Sequence, residues 1–372
     1  MDLTPASAYL ADSYVFQWRN QTLLPDLIFT MPVAFCLGAG LVAGHSMAGM
    51  IAAGGAATVG FGAKQTIDRS RLLPMIFATL GIAFSTFVGM VAGHENVLLV
   101  VVASVWAFGY GLLTQRPGGY GWVGQQCVVT LLVGSAFPFA AKLAVERALL
   151  VGAGGAVQVL WSGAALRLFG QLRAHLLEIT RYIRAEEAAL RATAAEIVRT
   201  VRKGRFVDSR FGYPMRLVVT VGLSTEIYRQ LHFASGYWIP MTALLVLKPG
   251  LTDTASRAVA RTLGTVAGAW VLSVIVAHFP PSPWELAVIT VAFAWLSFAT
   301  LNVNYALFAF FITGYIVFLL SFTQIPQETI AERRAVCTAV GGVLALAVRL
   351  VVIRTRKRRD ASIESNGLDA VR

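Results

Sequence analysis

Long apolar runs separated by short polar clusters follow one another along most of this sequence. A helix needs about 20 apolar residues to cross the hydrocarbon core of a bilayer. The runs therefore predict an all-α integral membrane protein with about twelve transmembrane helices. The expected spans are residues 23–44, 47–63, 72–93, 97–114, 120–140, 147–169, 213–231, 235–248, 255–279, 283–301, 303–322 and 331–353.

The spans form two groups of six that are joined by a polar stretch. We expect a first membrane repeat at 1–169, a cytoplasmic amphipathic helical linker at 170–212, a second membrane repeat at 213–353 and a basic cytoplasmic tail at 354–372. In the linker, Leu172 and Leu176 lie at helical spacing with Arg173 between them. Linker and tail have the composition of segments that bind anionic lipid, but the sequence favours a solvated connector for the linker and a stop-transfer anchor for the tail.

The charged residues favour one orientation in the bilayer. With the N-terminus in the cytoplasm, all but five of the 31 lysines and arginines lie on inner segments. Because positive residues accumulate on the cytoplasmic side, both termini are expected there. The five outer residues are Lys142, Arg147, Arg229, Arg333 and Arg334. Only 13% of the residues are charged, which excludes an ordinary soluble domain, and the topology explains the net charge of +12 without a nucleic-acid partner.

The two halves carry similar polar residues at equivalent positions. The aligned residues are His45 and His232, Lys64 and Lys248, and the pairs Glu146–Arg147 and Glu332–Arg333. Repeats of six helices share one orientation and are related by an axis along the membrane normal. The second and eighth spans look broken, one by Gly54 and Gly55 and the other by Pro249-Gly250. Such breaks indicate a transport site, although glycines also permit close helix packing.

A run of ordered residues in the second half is similar to a known family. It comprises Tyr237-Trp238-Ile239-Pro240-Met241-Thr242, Leu247-Lys248-Pro249, Thr254-Ala255-Ser256-Arg257 and Arg261-Thr262-Leu263-Gly264-Thr265. It resembles the fusaric acid resistance and aromatic acid exporter (FUSC) family over about 235–275, with a degenerate copy at 47–89. The resemblance implies a multi-pass efflux protein of the inner (plasma) membrane that exports aromatic carboxylic acids with the proton gradient. More distantly the chain looks like plant aluminium-activated malate channels, which implies an anion pore.

The clearest candidate site is a cytoplasmic group of cations. Arg257 and Arg261 lie four residues apart on one face of the ninth span, just after Lys248 and the helix-capping sequence Thr252-Asp253-Thr254. The first half offers Lys64, Arg69 and Arg71 at the corresponding place. Helix N-termini and guanidinium groups suit a carboxylate substrate. An ordinary cationic collar that only sets the topology fits the same residues.

Coupling and gating have separate candidates. Glu226 lies inside the seventh span, where a carboxylate either carries a proton or forms a structural ion pair with Arg229. His45 and His232 end their helices at the outer face, where they exchange protons or simply lie at the interface. Arg147 and Arg333 either gate the outer mouths or are neutralised by the preceding glutamates.

Tyr237 and Trp238 are the aromatic candidates, because they begin the broken eighth span and could stack on a planar substrate. The belt of aromatic residues at a membrane interface uses the same types. We find no nucleotide-binding loop and no catalytic motif, so neither a cofactor nor an enzyme activity is expected. The sequence predicts a secondary transporter of small organic anions, with a passive anion channel as the alternative. It leaves homo-oligomerisation open.

Overall fold

The computed structural model describes residues 5–167, 191–193, 195–196, 211–232, 235–278, 281–323 and 327–369. Most of the linker expected at 170–212 lies outside these residues, as do the side chains of the basic tail beyond Thr355. Within the described part the regular structure is helical, and no strand forms there. This agrees with the all-α fold that the apolar runs predict.

Twelve helices of nine or more residues make up the described bundle, preceded by two helical turns at Pro5–Ala8 and Ala11–Tyr14. We number them in chain order. They are α1 (Leu23–Val42), α2 (Ser46–Gly60), α3 (Leu72–Ala92), α4 (Asn96–Leu113), α5 (Tyr120–Ser135), α6 (Ala141–Ala165), α7 (Gly212–Gln230), α8 (Trp238–Val246), α9 (Leu251–His278), α10 (Pro283–Thr300), α11 (Tyr305–Ser321) and α12 (Gln327–Asp369).

Each expected span falls on one of these helices, but the helices differ in length. Eight helices of the described part are long and apolar enough to cross a membrane, namely α1, α2 with the 3-10 turn that follows it, α3, α4, α6, α9, α10 and α12. Helix α11 is apolar but shorter. The chain is thus a multi-pass helical membrane protein, whereas the full count of twelve spans stays a prediction.

The outer surface of the bundle is apolar. Leu24, Val42, Val97 and Trp270 are each at least 70% exposed, and each lies on a long apolar helix. In water, so many exposed apolar side chains would form an aggregation-prone patch. In a bilayer the same side chains contact lipid tails, so the surface supports a membrane setting.

The two halves use the same helix pairs. Helix α3 packs on α5 and α6, as α9 packs on α11 and α12. Helix α2 packs on α6, as α8 packs on α12. Between the halves, α4 packs on α7 and α10 packs on α1. Because α4 corresponds to α10 and α1 to α7, the two contacts between the halves are equivalent. They bring polar residues of the second half close to the first half.

Small residues allow the closest of these approaches. A side chain at Gly55 would meet the backbone of Val151, and one at Gly154 would meet the backbone of Ala52, so α2 and α6 touch through their main chains. In the second half Gly341 similarly faces the backbone of Ile239. The packing interpretation of Gly55 therefore agrees with the structure.

The sequence predicts that α2 and α8 are both broken helices, but the two differ in the structure. Helix α2 runs to Gly60 and tightens into a 3-10 turn at Phe61–Lys64, which gives it a membrane-spanning length. Helix α8 has nine residues, about 14 Å at 1.5 Å per residue, which is less than half of a bilayer core. Leu247 is extended, and Pro249 cannot continue the helix. Only the second half therefore has a markedly short helix.

Candidate functional site

Arg257, Arg261 and Tyr305 form the centre of a cationic cluster near the C-terminal end of α8. The Arg257 guanidinium carbon lies 4.0 Å from the centroid of the Tyr305 ring. Arg261 Nη1 donates a hydrogen bond to the Tyr305 hydroxyl at 3.1 Å. A cation over an aromatic face is stabilised by the ring quadrupole. With Lys248 these residues form what we call the Lys248 cluster, and this end of the bundle is the Lys248 end.

Lys248 lies in the connection between α8 and α9, outside both helices. Its backbone N–H donates to the Thr254 hydroxyl at 3.0 Å, and that hydroxyl donates to the Gly250 carbonyl at 2.7 Å. Burial and the nearby Arg257 charge lower the pKa of Lys248. Helix α9 begins at Leu251, four residues before the expected span, so Thr252-Asp253-Thr254 lies inside its first turn rather than before it. Thr254 nonetheless orders this connection.

The N-terminal segment covers the Lys248 cluster. The Asp12 backbone N–H donates to the Ser256 hydroxyl at 2.8 Å, and the Asp12 carboxylate lies 3.6 Å from Arg257 Nε. Farther along the segment, the Asn304 side chain donates to the Val15 carbonyl at 2.9 Å. The protein thus places one of its own carboxylates on an arginine of the cluster.

Arg334 lies deeper in the bundle, on α12. Its side chain is 1% exposed, Nε donates to the Thr313 hydroxyl at 3.3 Å, and the guanidinium lies 5.4 Å from the Trp238 ring centroid. Neither terminal nitrogen, Nη1 or Nη2, has a hydrogen-bond partner among the residues that the structure describes. Arg261, which is 4% exposed and has an unpartnered Nε, is close enough to interact with it electrostatically.

Arg334 is one of the five charges that the sequence places on the outer side. Its side chain is buried between helices rather than exposed in a connecting segment. Among the residues described, no carboxylate forms an ion pair with Arg261 or Arg334. One feature of the sequence could have distinguished Arg334 from the other charges, because it aligns with the uncharged Ala148 of the first half. We call Lys248, Arg257, Arg261 and Arg334 the cationic row.

A cavity of about 370 Å³ opens at the opposite end of α8, which we call the Trp238 end. It brings together four of the sequence candidates, Tyr237, Trp238, Arg229 and Arg333, together with Tyr228. The ring centroids of Tyr237 and Trp238 are 5.1 Å apart. The remaining lining residues are Ser135, Ala136, Phe137, Pro138, Ser235, Gly236, Leu320, Thr323 and Ile330.

Lys64 is held in a different environment from Lys248. Its Nζ lies 2.8 Å from Asp26 Oδ2, and it also donates to the Thr22 hydroxyl and the Phe298 carbonyl. Asp26 is 1% exposed. The ammonium group therefore ties α1, the end of α2 and the end of α10 together, and a substrate at Lys64 would have to displace a buried carboxylate. Its role in substrate binding stays a prediction.

Arg69 and Arg71 are exposed in the turn between α2 and α3. Asp68 and Arg69 have positive φ angles of 47° and 66°, and Ile67 pairs with Ser70 across the turn. The structure gives neither arginine a contact with the Lys248 cluster.

The sequence leaves two roles for Glu226, a proton carrier or a partner of Arg229 in a structural ion pair. In the structure Glu226 and Arg229 do not form this ion pair. Arg229 Nε donates to the Asn96 side chain at 2.6 Å, and Nη2 donates to the Gly93 carbonyl at 3.1 Å. Glu226 instead accepts a hydrogen bond from Gln230 at 2.6 Å. Because its hydrogen-bond partner is neutral, Glu226 keeps its candidacy as a proton carrier.

The other outer candidates are dispersed. His45 and His232 are exposed at helix ends. Arg147 lies 4.1 Å from the Phe139 ring centroid, whereas its counterpart Arg333 lines the cavity. The structure therefore brings only the second-half arginine to the aromatic pair at the Trp238 end.

Comparison with known proteins finds a family model that matches the part of the chain containing the site. Residues 223–348 match the family model described as fusaric acid resistance protein-like, which confirms the resemblance for this part of the chain. The match runs from within α7 to within α12, and so includes the whole cationic row. No solved structure matches the chain significantly. The match is consistent with membrane transport.

Three curated relatives are similar over about a third of this chain. "Uncharacterized protein ORF2" of Neisseria gonorrhoeae is 34% identical over 137 residues, which is 37% of this chain and 33% of that protein. An uncharacterized protein of Synechocystis sp. is 30% identical over 39% of this chain and 19% of its own length. One from Haemophilus influenzae is 31% identical over 34% and 17%. The matches thus span a third or less of each relative.

Proposed function

We propose that the protein is a secondary transporter of the inner (plasma) membrane that exports small organic anions, with aromatic carboxylic acids as the leading class and with proton coupling. The observation that carries this proposal is Arg334. A buried guanidinium with two unpartnered nitrogens costs several kcal/mol unless an anion pairs with it. A carboxylate presents two oxygens to such a fork. Arg334 is therefore the group that a passing carboxylate would pair with.

The rest of the cationic row extends this site toward the Lys248 end. Arg261 lies near Arg334, and Arg257 and Lys248 follow toward the Lys248 end. We propose that twelve spans form two parallel repeats with both termini cytoplasmic, which makes the Lys248 end cytoplasmic. The repeated helix contacts and the basic inner segments support this arrangement. An anion would then meet Arg257 first and Arg334 later.

A passive anion channel is the alternative, because a row of cations would also line an anion pore. Flux and current measurements on the reconstituted protein distinguish a proton-coupled exporter from a passive channel. A proton-coupled exporter gives saturable flux that collapses when an uncoupler removes the proton gradient. A channel gives a voltage-dependent current whose reversal potential follows the anion gradient, and that result would replace the exporter with the alternative.

Asp12→Asn is expected to lower the KM for a carboxylate at the Lys248 end by about threefold to tenfold. The Asp12 carboxylate competes for Arg257 at an effective concentration on the order of millimolar. Asparagine removes the charge and leaves the backbone bond to Ser256 in place. The measurement is the initial rate of uptake into inside-out vesicles. Glu95→Gln is the control, since Glu95 is exposed just before α4 and forms no ion pair with any described residue. An unchanged KM would rule out competition.

Glu226→Gln is expected to abolish the dependence of flux on a pH gradient. The substitution keeps the side chain's shape and its neighbour Gln230 but removes the exchangeable proton. Flux in proteoliposomes is measured across a series of imposed gradients, with the exposed Glu146→Gln as control. If the pH dependence of the Gln variant equals that of the wild type, Glu226 has no part in coupling.

A further inference from the structure

We infer that the cavity at the Trp238 end is a second binding site, which holds a planar monocarboxylate after it has left Arg334. This inference rests on the proposed function and specifies its substrate class. The cavity is separated from the Lys248 cluster by the length of α8. It is lined by the C-terminal ends of α5, α7 and α11 and the N-terminal ends of α8 and α12, whereas the cluster lies at the opposite end of α11.

The charges of the cavity favour one small anion. Of the described residues that line it, two are arginines and none is an aspartate or glutamate. Arg229 is held in place by Asn96 and Gly93, which use Nε and Nη2. Arg333 forms no hydrogen bond or ion pair with any described residue, so its whole guanidinium fork is available. A single carboxylate would neutralise Arg333 while the fixed Arg229 adds to the positive potential.

The aromatic residues favour a planar ligand. Tyr228, Tyr237 and Trp238 line the cavity together with Phe137. Aromatic faces prefer offset-stacked or edge-to-face partners, so an aromatic acid gains contacts there that an aliphatic acid of the same charge does not. The volume of about 370 Å³ is close to the lower limit of small-molecule sites, which suits a ligand with one ring.

Trp238 connects this cavity to the cationic row. Its ring lines the cavity, and the Arg334 guanidinium lies 5.4 Å from the centroid of the same ring. Its side chain is 2% exposed and contacts both the cavity and Arg334. Trp238 is therefore the residue that a carboxylate leaving Arg334 for Arg333 would meet.

Cysteine protection locates the ligand. Thr323 lines the cavity, so Thr323→Cys is made in a chain whose three cysteines, Cys36, Cys127 and Cys337, are replaced by alanine. The reagent is an anionic methanethiosulfonate, and the probe is benzoate, with cyclohexanecarboxylate and sulfate compared at equal concentration. We expect benzoate to slow labelling at least about fivefold, cyclohexanecarboxylate to protect less and sulfate least.

Arg333 and its repeat counterpart provide the matched variants. Protection by benzoate is expected to vanish with Arg333→Gln, to persist in part with Arg333→Lys, and to be unchanged with Arg147→Gln, because Arg147 lies over Phe139 outside the cavity. Protection that survives Arg333→Gln, or that is lost equally with Arg147→Gln, would overturn the site. Equal protection by cyclohexanecarboxylate would overturn the preference for planar ligands.

Labelling of Thr323→Cys does not require transport. The exporter and the binding site in the cavity can therefore be contradicted independently. Benzoate protection without benzoate flux in proteoliposomes would contradict the exporter and leave the binding site standing. Flux without protection at Thr323→Cys would contradict the binding site and leave the exporter standing.

Discussion

Arg334→Met is expected to lower anion flux at least about 100-fold while the folded protein becomes no less stable. A charge-assisted carboxylate contact worth about 3 kcal/mol corresponds to that factor. Methionine fills a similar volume without a buried charge, and replacing buried charges by apolar residues is often neutral or stabilising. Among the described residues, Arg334 has one hydrogen bond to lose, from Nε to Thr313, and its contact with the Trp238 ring.

The measurement pairs the initial rate of flux in proteoliposomes with the apparent melting temperature of the same preparation. Arg354→Met is the control, because Arg354 lies on the same helix and is exposed. If Arg334→Met transports at the wild-type rate, the proposed site is wrong. A large drop in melting temperature would instead show that Arg334 is a structural residue.

Lys64→Met is expected to destabilise the protein by about 3–5 kcal/mol, the usual effect of removing one partner of a buried ion pair. It leaves the Asp26 carboxylate, which is 1% exposed, without its cation at 2.8 Å. The double variant Lys64→Met/Asp26→Asn removes the stranded charge and should regain much of this loss. Apparent melting temperatures of the two single variants and the double variant give the coupling between the residues.

The same double variant tests whether Lys64 binds substrate. Lys64 forms an ion pair with Asp26 in the wild-type protein. We therefore expect the folded double variant to transport at close to the wild-type rate. A double variant that folds but has lost its flux would place Lys64 in the substrate pathway.

Helix positions could be predicted because apolar runs of membrane-spanning length leave few alternatives. The break at Lys248-Pro249-Gly250 was equally readable, since Pro249 ends a helix. The exact start of α9 was not, because Thr254 is a good helix cap but here bonds back to Lys248 and Gly250 from within the first turn. Local signals set the type of element better than its boundary.

The contacts of the site depended on tertiary packing. Arg333 and Arg334 are neighbours on α12, so their side chains point about 100° apart, and only the packing of α12 decides which one faces the cavity and which one is buried. The contact of Asp12 with Arg257 joins residues far apart in sequence, and Asp12 lies outside every apolar run. The partners of Lys64 could not be predicted either. Its alignment with Lys248 suggested the same environment, whereas Lys64 pairs with Asp26.

The most direct test of organic-anion export is the release of labelled benzoate from proteoliposomes that contain the wild-type protein. We predict release that saturates with benzoate concentration, accelerates with an imposed proton gradient and exceeds the release of malate and chloride measured in parallel. Release no faster than from protein-free liposomes for all three anions, with correctly folded protein in the bilayer, would contradict the proposed function.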